Sequence, residues 1–158
     1  MRTILVTGGA GFIGSHLSER LLKEGNKVLV IDNFNNYYDP AIKRNNVEEV
    51  KKTCIENNIS LDNYKVFEGD IRDNEFLKEV FSNKIDSIMH LAAMAGVRPS
   101  IEDPSLYYDV NITGTVNLLE RCRETGVKQF VFASSSSVYG NNEKVPFAES
   151  DMVDNPIS

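Results

Sequence analysis

Four glycines fall within seven positions near the amino end, Gly8, Gly9, Gly11 and Gly14, and they constrain this chain more than any other feature. Ile4, Leu5 and Val6 precede them as a short apolar run, the pattern of a buried strand, which stops at Thr7. Directly after them Ile13, Leu17 and Leu21 recur every four residues, with Leu22 alongside, which is helical spacing. The order is therefore strand, glycine turn, helix. In that context the glycines divide the work: Gly8 permits the tight turn, Gly11 lets a pyrophosphate approach the backbone, and Gly14 lets helix and strand pack closely. The amides of Phe12 and Ile13 lie at the helix start, where free N–H groups and the helix dipole favour phosphate. A tight βα turn without a ligand is the competing reading, and the correct flanks on both sides weigh against it.

A second apolar strand, Val28 to Ile31, ends in Asp32, eighteen residues beyond Gly14. An acid at that strand tip can accept both ribose hydroxyls of an adenosine, and it repels a 2′-phosphate. No arginine follows directly, so NAD is expected over NADP. An Asp-Asn pair also makes a plain turn, so the ribose role stays an expectation.

The chain has 158 residues, the length of one domain, and its 41% hydrophobic and 25% charged content is that of a globular protein. A net charge of −6 without a basic cluster argues against nucleic acid as a partner. Cys54 and Cys122 lie far apart without metal-ligand spacing and read as reduced thiols, which points to a cytoplasmic protein with no bound metal. No apolar run approaches membrane length, and the first residues lead straight into a strand, so neither a membrane partner nor a signal peptide is expected.

Further along, Asp39-Pro40 opens a helix carrying Ile42, Val47 and Val50; it is mostly polar and is expected to lie outside the core. Tyr37-Tyr38 before it either packs the loop or stacks on something. Tyr64 to Phe67 is a third strand, Asn74 to Asn83 a helix with Phe76, Leu77 and Val80 facing inward, and Ile85 to Leu91 a fourth strand ended by Ala92-Ala93. Small residues there let a ligand lie flat against a parallel sheet. One long helix is expected from Asp103-Pro104 to Gly126. Its Val110, Ile112, Val116, Leu119 and Cys122 cover more than one face, enough for the sheet and a partner as well. Gln129 to Ala133 is a fifth strand running into four serines. The alternation predicts an α/β fold with a parallel, doubly wound sheet in the order 3-2-1-4-5 and a crevice between strands 1 and 4. His90 and His16 have no identifiable partners and are read as structural.

The stretch TGGAGFIGSHL, with its Gly-x-x-Gly-x-x-Gly spacing, resembles the extended, nucleotide-sugar-modifying branch of the short-chain dehydrogenase/reductase superfamily. The resemblance implies a Rossmann domain that binds NAD and a homodimer in the full-length enzyme. By the same resemblance the cofactor-binding set is Gly8, Gly11, Phe12, Ile13, Gly14, Asp32, Asn33, Asn36, Asp70, Ile71, Leu91, Ala92, Ala93, Asn111 and Ser134. Asp70 and Ile71, from the stretch GDIRD, are placed beside the adenine.

Ser135, aligned through Val138-Tyr139-Gly140, matches the branch's catalytic Ser/Thr, whose hydroxyl orients the substrate hydroxyl for oxidation. The family's base is the tyrosine of a Tyr-x-x-x-Lys motif, and no tyrosine in this chain has a lysine four residues on. The chain thus resembles the amino-terminal part of an enzyme, an incomplete NAD-binding domain without its substrate domain, and is expected to be inactive alone. Ser136 and Ser137 stand where 4,6-dehydratases carry Asp and Glu. LAAMAGVRPS and DNFNNYYDPAIKRNN look like UDP-glucuronate 4-epimerases, although Met94 stands where those enzymes more often have Gln; the UDP-glucose/UDP-galactose enzymes usually have Lys at Ala95. The resemblance therefore implies 4-epimerisation of a UDP-sugar through transient oxidation at C4. A stand-alone NAD-binding regulatory module and a dehydratase fragment are the alternatives. Arg98 either steers an anionic substrate or is an exposed loop arginine.

Overall fold

In the computed structural model, which describes residues 1–155, five parallel strands form one sheet in the order β3-β2-β1-β4-β5. They are β1 (Thr3–Thr7), β2 (Lys27–Asp32), β3 (Tyr64–Glu68), β4 (Ser87–His90) and β5 (Gln129–Phe132). Leu5 pairs with Leu29 on one side and Ile88 on the other. Because successive side chains point to opposite faces, β1 and β2 each supply both layers of core. Ile4, Val6, Val28 and Val30 meet Leu21, Leu22, Val47, Val50 and Cys54 on one face. Leu5, Leu29, Ile31 and Ile88 meet Leu77, Val80, Leu118 and Cys122 on the other. Each fully buried leucine, isoleucine or valine here contributes about 1.5–3 kcal/mol relative to exposure.

Helix α1 (Phe12–Lys23) and α2 (Pro40–Glu56) cover the first face, and α3 (Asn74–Val80) and α6 (Gly114–Thr125) the second. The sequence places α2 outside the core, and the structure corrects this. Lys43, Val47, Val50 and Cys54 are buried and make one stripe of the helix, whereas Ile42 is 53% exposed. A low average hydrophobicity hides a narrow apolar stripe, which is all that packing on α1 requires.

The long helix is also more finely divided than its sequence suggests. A short α4 (Val97–Glu102) precedes it, α5 (Pro104–Tyr108) starts it under the Asp103 cap, and a π-turn at Asp109–Thr113 joins α5 to α6. Gly126, at φ +78°, closes it in the left-handed conformation expected of a helix stop. Tyr108, Ile112, Val116 and Leu119 stay between 45% and 64% exposed along this run.

Candidate functional site

The carboxyl ends of β1, β2, β3 and β4 open into a cleft of about 240 Å³. Its lining includes Gly8, Gly11, Asp32, Asn33, Asp70, Ile71, Leu91, Ala92 and Ala93. All nine come from the cofactor set read in the sequence. The crevice lies where the strand order reverses, between β1 and β4, as open α/β sheets place their ligand sites.

The glycine turn is crowded wherever it is not open to the cleft. Gly8 has φ +67°, and a Cβ there would meet the Ala92 backbone nitrogen at 2.9 Å. A Cβ on Gly14 would stand 2.3 Å from the Gly8 carbonyl oxygen, so Gly14 is buried in the contact between helix and turn. Gly11 is different: its Cβ would meet that oxygen at 3.2 Å and the Tyr38 hydroxyl at 3.7 Å, with the cleft beyond. The Ala10 peptide is pinned from both sides, its N–H donated to Asp32 at 3.1 Å and its carbonyl accepting from Asn46 at 2.9 Å. At the start of α1 the N–H groups of Phe12, Ile13 and Gly14 precede any intrahelical carbonyl partner. Phe12 and Ile13 themselves are 74% and 67% exposed. A turn that excludes side chains, next to free amides and without a carboxylate in that first turn, fits a pyrophosphate.

Asp32 is buried, and its carboxylate is largely occupied. One oxygen accepts from the Phe34 N–H at 2.9 Å and from Lys43 Nζ at 3.4 Å; the other accepts from Ala10. An ionised carboxylate has about four acceptor positions, so one remains for a ribose hydroxyl, and a second requires Lys43 to release its long bond. Lys43 was not singled out in the sequence. It is only 6% exposed and lines the cleft, with Asn35 as its other partner at 3.2 Å. The signal was its spacing, i to i+4 and i+7 with Val47 and Val50, which puts a lysine on the buried stripe. The next cation, Arg44, is taken by Glu68 in a two-point contact at 2.6 and 2.8 Å.

Asp70 lines the cleft just beyond the end of β3. It accepts three bonds from Arg72 and one from the exposed Asn33, and the Arg72 guanidinium holds its pKa down at about 2. All its acceptor positions are therefore filled, and Asn33 is the partner a ligand amine could displace most cheaply. Arg72 reaches Asp109 at 2.9 Å as well, which ties the β3 exit to the π-turn.

The π-turn aims Asn111 at the β4 exit, where its side chain accepts from the Met94 N–H at 2.8 Å and donates to the Met94 carbonyl at 3.0 Å. His90 does have partners, contrary to the sequence reading: Thr7 Oγ1 at 2.7 Å from Nδ1 and Thr115 Oγ1 at 2.9 Å from Nε2. Burial pushes its pKa down to about 4, so it is neutral near pH 7.

Other residues of the set lie outside the cleft lining. Asn36 is exposed, and its neighbour Asn35 lines the cleft instead. Ser134 and Ser135 follow β5 in exposed positions, with the Ser135 hydroxyl capping a short turn through the Ser137 N–H at 3.2 Å. Arg98 is exposed on α4.

A parallel doubly wound sheet with a glycine turn, an acidic β2 tip and a cleft at the strand reversal defines a Rossmann domain of the dinucleotide-binding class. More narrowly, the chain belongs to the GDP-mannose 4,6 dehydratase family, whose model it matches over residues 5–158. This bears out the resemblance to the extended short-chain dehydrogenase/reductase branch. It is 48% identical to UDP-glucuronate 4-epimerase 4 of Arabidopsis thaliana, over 99% of this chain and 34% of that protein. It is 40% identical to Protein CapI of Staphylococcus aureus, over 98% of this chain and 44% of that protein. Among solved structures, the UDP-Glc/GlcNAc 4-epimerase of Campylobacter jejuni superposes with a TM-score of 0.84 at 33% identity, over 99% of this chain and 44% of that one. The UDP-glucose 4-epimerase of Bifidobacterium longum, solved in complex with NAD+ and UDP, gives 0.81 at 36% identity, over 94% of this chain and 41% of that one. The chain thus spans between a third and a half of the length of these proteins. No helix among the described residues is long and apolar enough to cross a membrane.

Proposed function

We propose that this chain is the NAD-binding part of a nucleotide-sugar 4-epimerase acting on UDP-glucuronate and UDP-galacturonate. The observation that carries the reading is the convergence of the Gly8–Gly14 turn, Asp32 and the Leu91–Ala93 exit on one cleft at the β1/β4 reversal. When bound there, NAD supplies the acceptor and donor for the hydride at sugar C4. The residues of the chain do the holding: α1 amides take the pyrophosphate, Asp32 the adenosine ribose, and Asp70 and Ile71 border the adenine. Ser135 orients the substrate hydroxyl, but a serine hydroxyl is far too weak an acid to serve as the base at neutral pH. Within these 158 residues no Tyr-x-x-x-Lys supplies that base, so the chain binds cofactor and does not turn over a UDP-sugar.

Ser136 and Ser137 favour epimerisation over dehydration, because neither hydroxyl can replace the acid and base carboxylates of a dehydratase. Residues 1–158 then form an incomplete cofactor domain, and the substrate domain belongs to the rest of the enzyme, a cytoplasmic protein. The exposed stripe of Tyr108, Ile112, Val116 and Leu119 is covered by a second copy in the full-length homodimer. Incubating the chain with NAD+ and UDP-glucuronate, and resolving UDP-galacturonate by chromatography, tests the assignment. The expected result is NAD+ binding without product, and product from a chain continued through both Tyr-x-x-x-Lys and the substrate domain. Product from the 158-residue chain, or none from the continued one, overturns it.

A further inference from the structure

A chain of hydrogen bonds crosses the floor of the cleft, and its direction is fixed by counting protons. Thr115 Oγ1 gives its one proton to the Asn111 carbonyl, so toward His90 Nε2 it can only accept. At Nδ1, 2.7 Å away, Thr7 Oγ1 is therefore the donor, while its lone pairs face the Ala92 N–H and the Leu91 N–H, the latter shared with the Thr7 carbonyl, all at 3.2 Å. Nδ1 must then be the unprotonated nitrogen, and Nε2 carries the hydrogen of the neutral ring. Nε2–H donates to Thr115 Oγ1 at 2.9 Å, and Thr115 donates in turn to the Asn111 carbonyl at 2.6 Å. Both nitrogens of a 3%-exposed imidazole are satisfied, and every link points the same way.

The ends of this relay adjoin the cofactor cleft. Thr7 immediately precedes Gly8, and Leu91 and Ala92 line the cleft floor. Asn111 grips Met94 through both its amide atoms, so the Leu91–Met94 segment is tethered at each end, and His90 joins the two tethers. The pocket around the imidazole could have been apolar, since Phe130 and Phe132 pack on it with ring centroids at 5.6 Å. A polar hub there fixes one geometry of three elements, at the cost of requiring all its bonds.

We infer that His90 is a positioning residue for dinucleotide binding: it holds the Leu91–Ala93 floor and the Asn111 turn in register with the Gly8 turn across the β1/β4 boundary. The inference rests on the cofactor reading above. Its specific consequence is a split between two ligands. A dinucleotide has to extend across the β1/β4 floor, whereas AMP needs only the Asp32, Asp70 and Ile71 side.

The test is calorimetric titration of NAD+ and of AMP into the unaltered chain, H90Q and T115V, with the ring nitrogens of His90 followed by NMR. Gln keeps a donor toward Thr115 but offers Thr7 no acceptor at the Nδ1 position. H90Q should weaken NAD+ by about tenfold, the worth of one buried hydrogen bond, and change AMP by less than about twofold. T115V, a half-buried change that leaves β1 and β4 alone, should weaken NAD+ in the same direction and by less. The unaltered chain should show a neutral ring protonated at Nε2.

Equal losses for both ligands, or no loss in a folded H90Q, overturn the positioning role, as does a ring protonated at Nδ1. Should H90Q not fold, T115V and the ring spectrum still decide it. An unaltered chain that binds no NAD+ refutes the cofactor reading itself, which separates that failure from failure of this inference.

Discussion

Lowering the pH from 7.5 to 5 should strip stability from this chain through His90. The native ring holds its proton only below about 4, because burial disfavours the cation, while an exposed histidine titrates near 6.5. Between those values the unfolded chain binds the proton and the native chain does not. Stability from this group is therefore complete above pH 6.5 and is lost as pH falls toward 4. At about 1.4 kcal/mol per tenfold difference in proton affinity the whole effect is about 3 kcal/mol, and about 2 kcal/mol of it is lost between pH 7.5 and 5. The carboxylate Asp70 contributes in a separate window, from its ordinary 3.8 down to about 2, and does not confuse the measurement. Urea unfolding followed by circular dichroism should show the midpoint falling by about 1 M, for a slope of about 2 kcal/mol per molar. H90F should be less stable at pH 7.5, since Thr7 and Thr115 lose their partner, yet flat over the same interval. A pH-independent midpoint in the unaltered chain, or an undiminished slope in H90F, refutes the argument.

The two glycines of the turn should separate cleanly. G14A places a methyl against backbone and should cost about 3 kcal/mol by thermal or urea unfolding, whereas G11V should melt near the unaltered chain and lose NAD+ binding by calorimetry. K43M leaves the Asp32 carboxylate buried without its cation and should cost about 3 kcal/mol, a loss that a double-mutant cycle with D32N should show to be shared by the pair. S135A should leave NAD+ binding by the chain unchanged, because Ser135 lies outside the cleft lining; a tenfold loss by calorimetry, well beyond the scatter of about 0.5 kcal/mol between independent sites, would place it in the cofactor site.

The sheet order was readable because β1, β2 and β4 are short apolar runs followed by small or turn-forming residues, and parallel doubly wound sheets leave few alternatives. Gly8, Gly11 and Asp32 were readable for a related reason: each sits at a fixed distance from a strand end. Lys43 was harder: its spacing with Val47 and Val50 marks the buried stripe, but a lysine stays there only against a counter-charge, and Asp32, eleven positions back, is brought to it by the fold. The π-turn at Asp109–Thr113 left no mark. Its extra residue answers a tertiary demand, Asn111 reaching Met94, which periodicity does not encode. Asp70 was found by resemblance, but its saturation by Arg72 and Asn33 only becomes visible once the side chains are placed.

The most direct test of the account is a calorimetric titration of the chain with NAD+ and, in parallel, with NADP+. Asp32 stands at the β2 tip, Lys43 is committed to it, and Arg44 is committed to Glu68, so among the described residues lining the cleft no free cation awaits a 2′-phosphate. The account predicts saturable NAD+ binding at one site and NADP+ weaker by about tenfold or more, the cost of setting a phosphate against a buried carboxylate. NADP+ binding as tightly as NAD+, or neither binding to a folded chain, would contradict it.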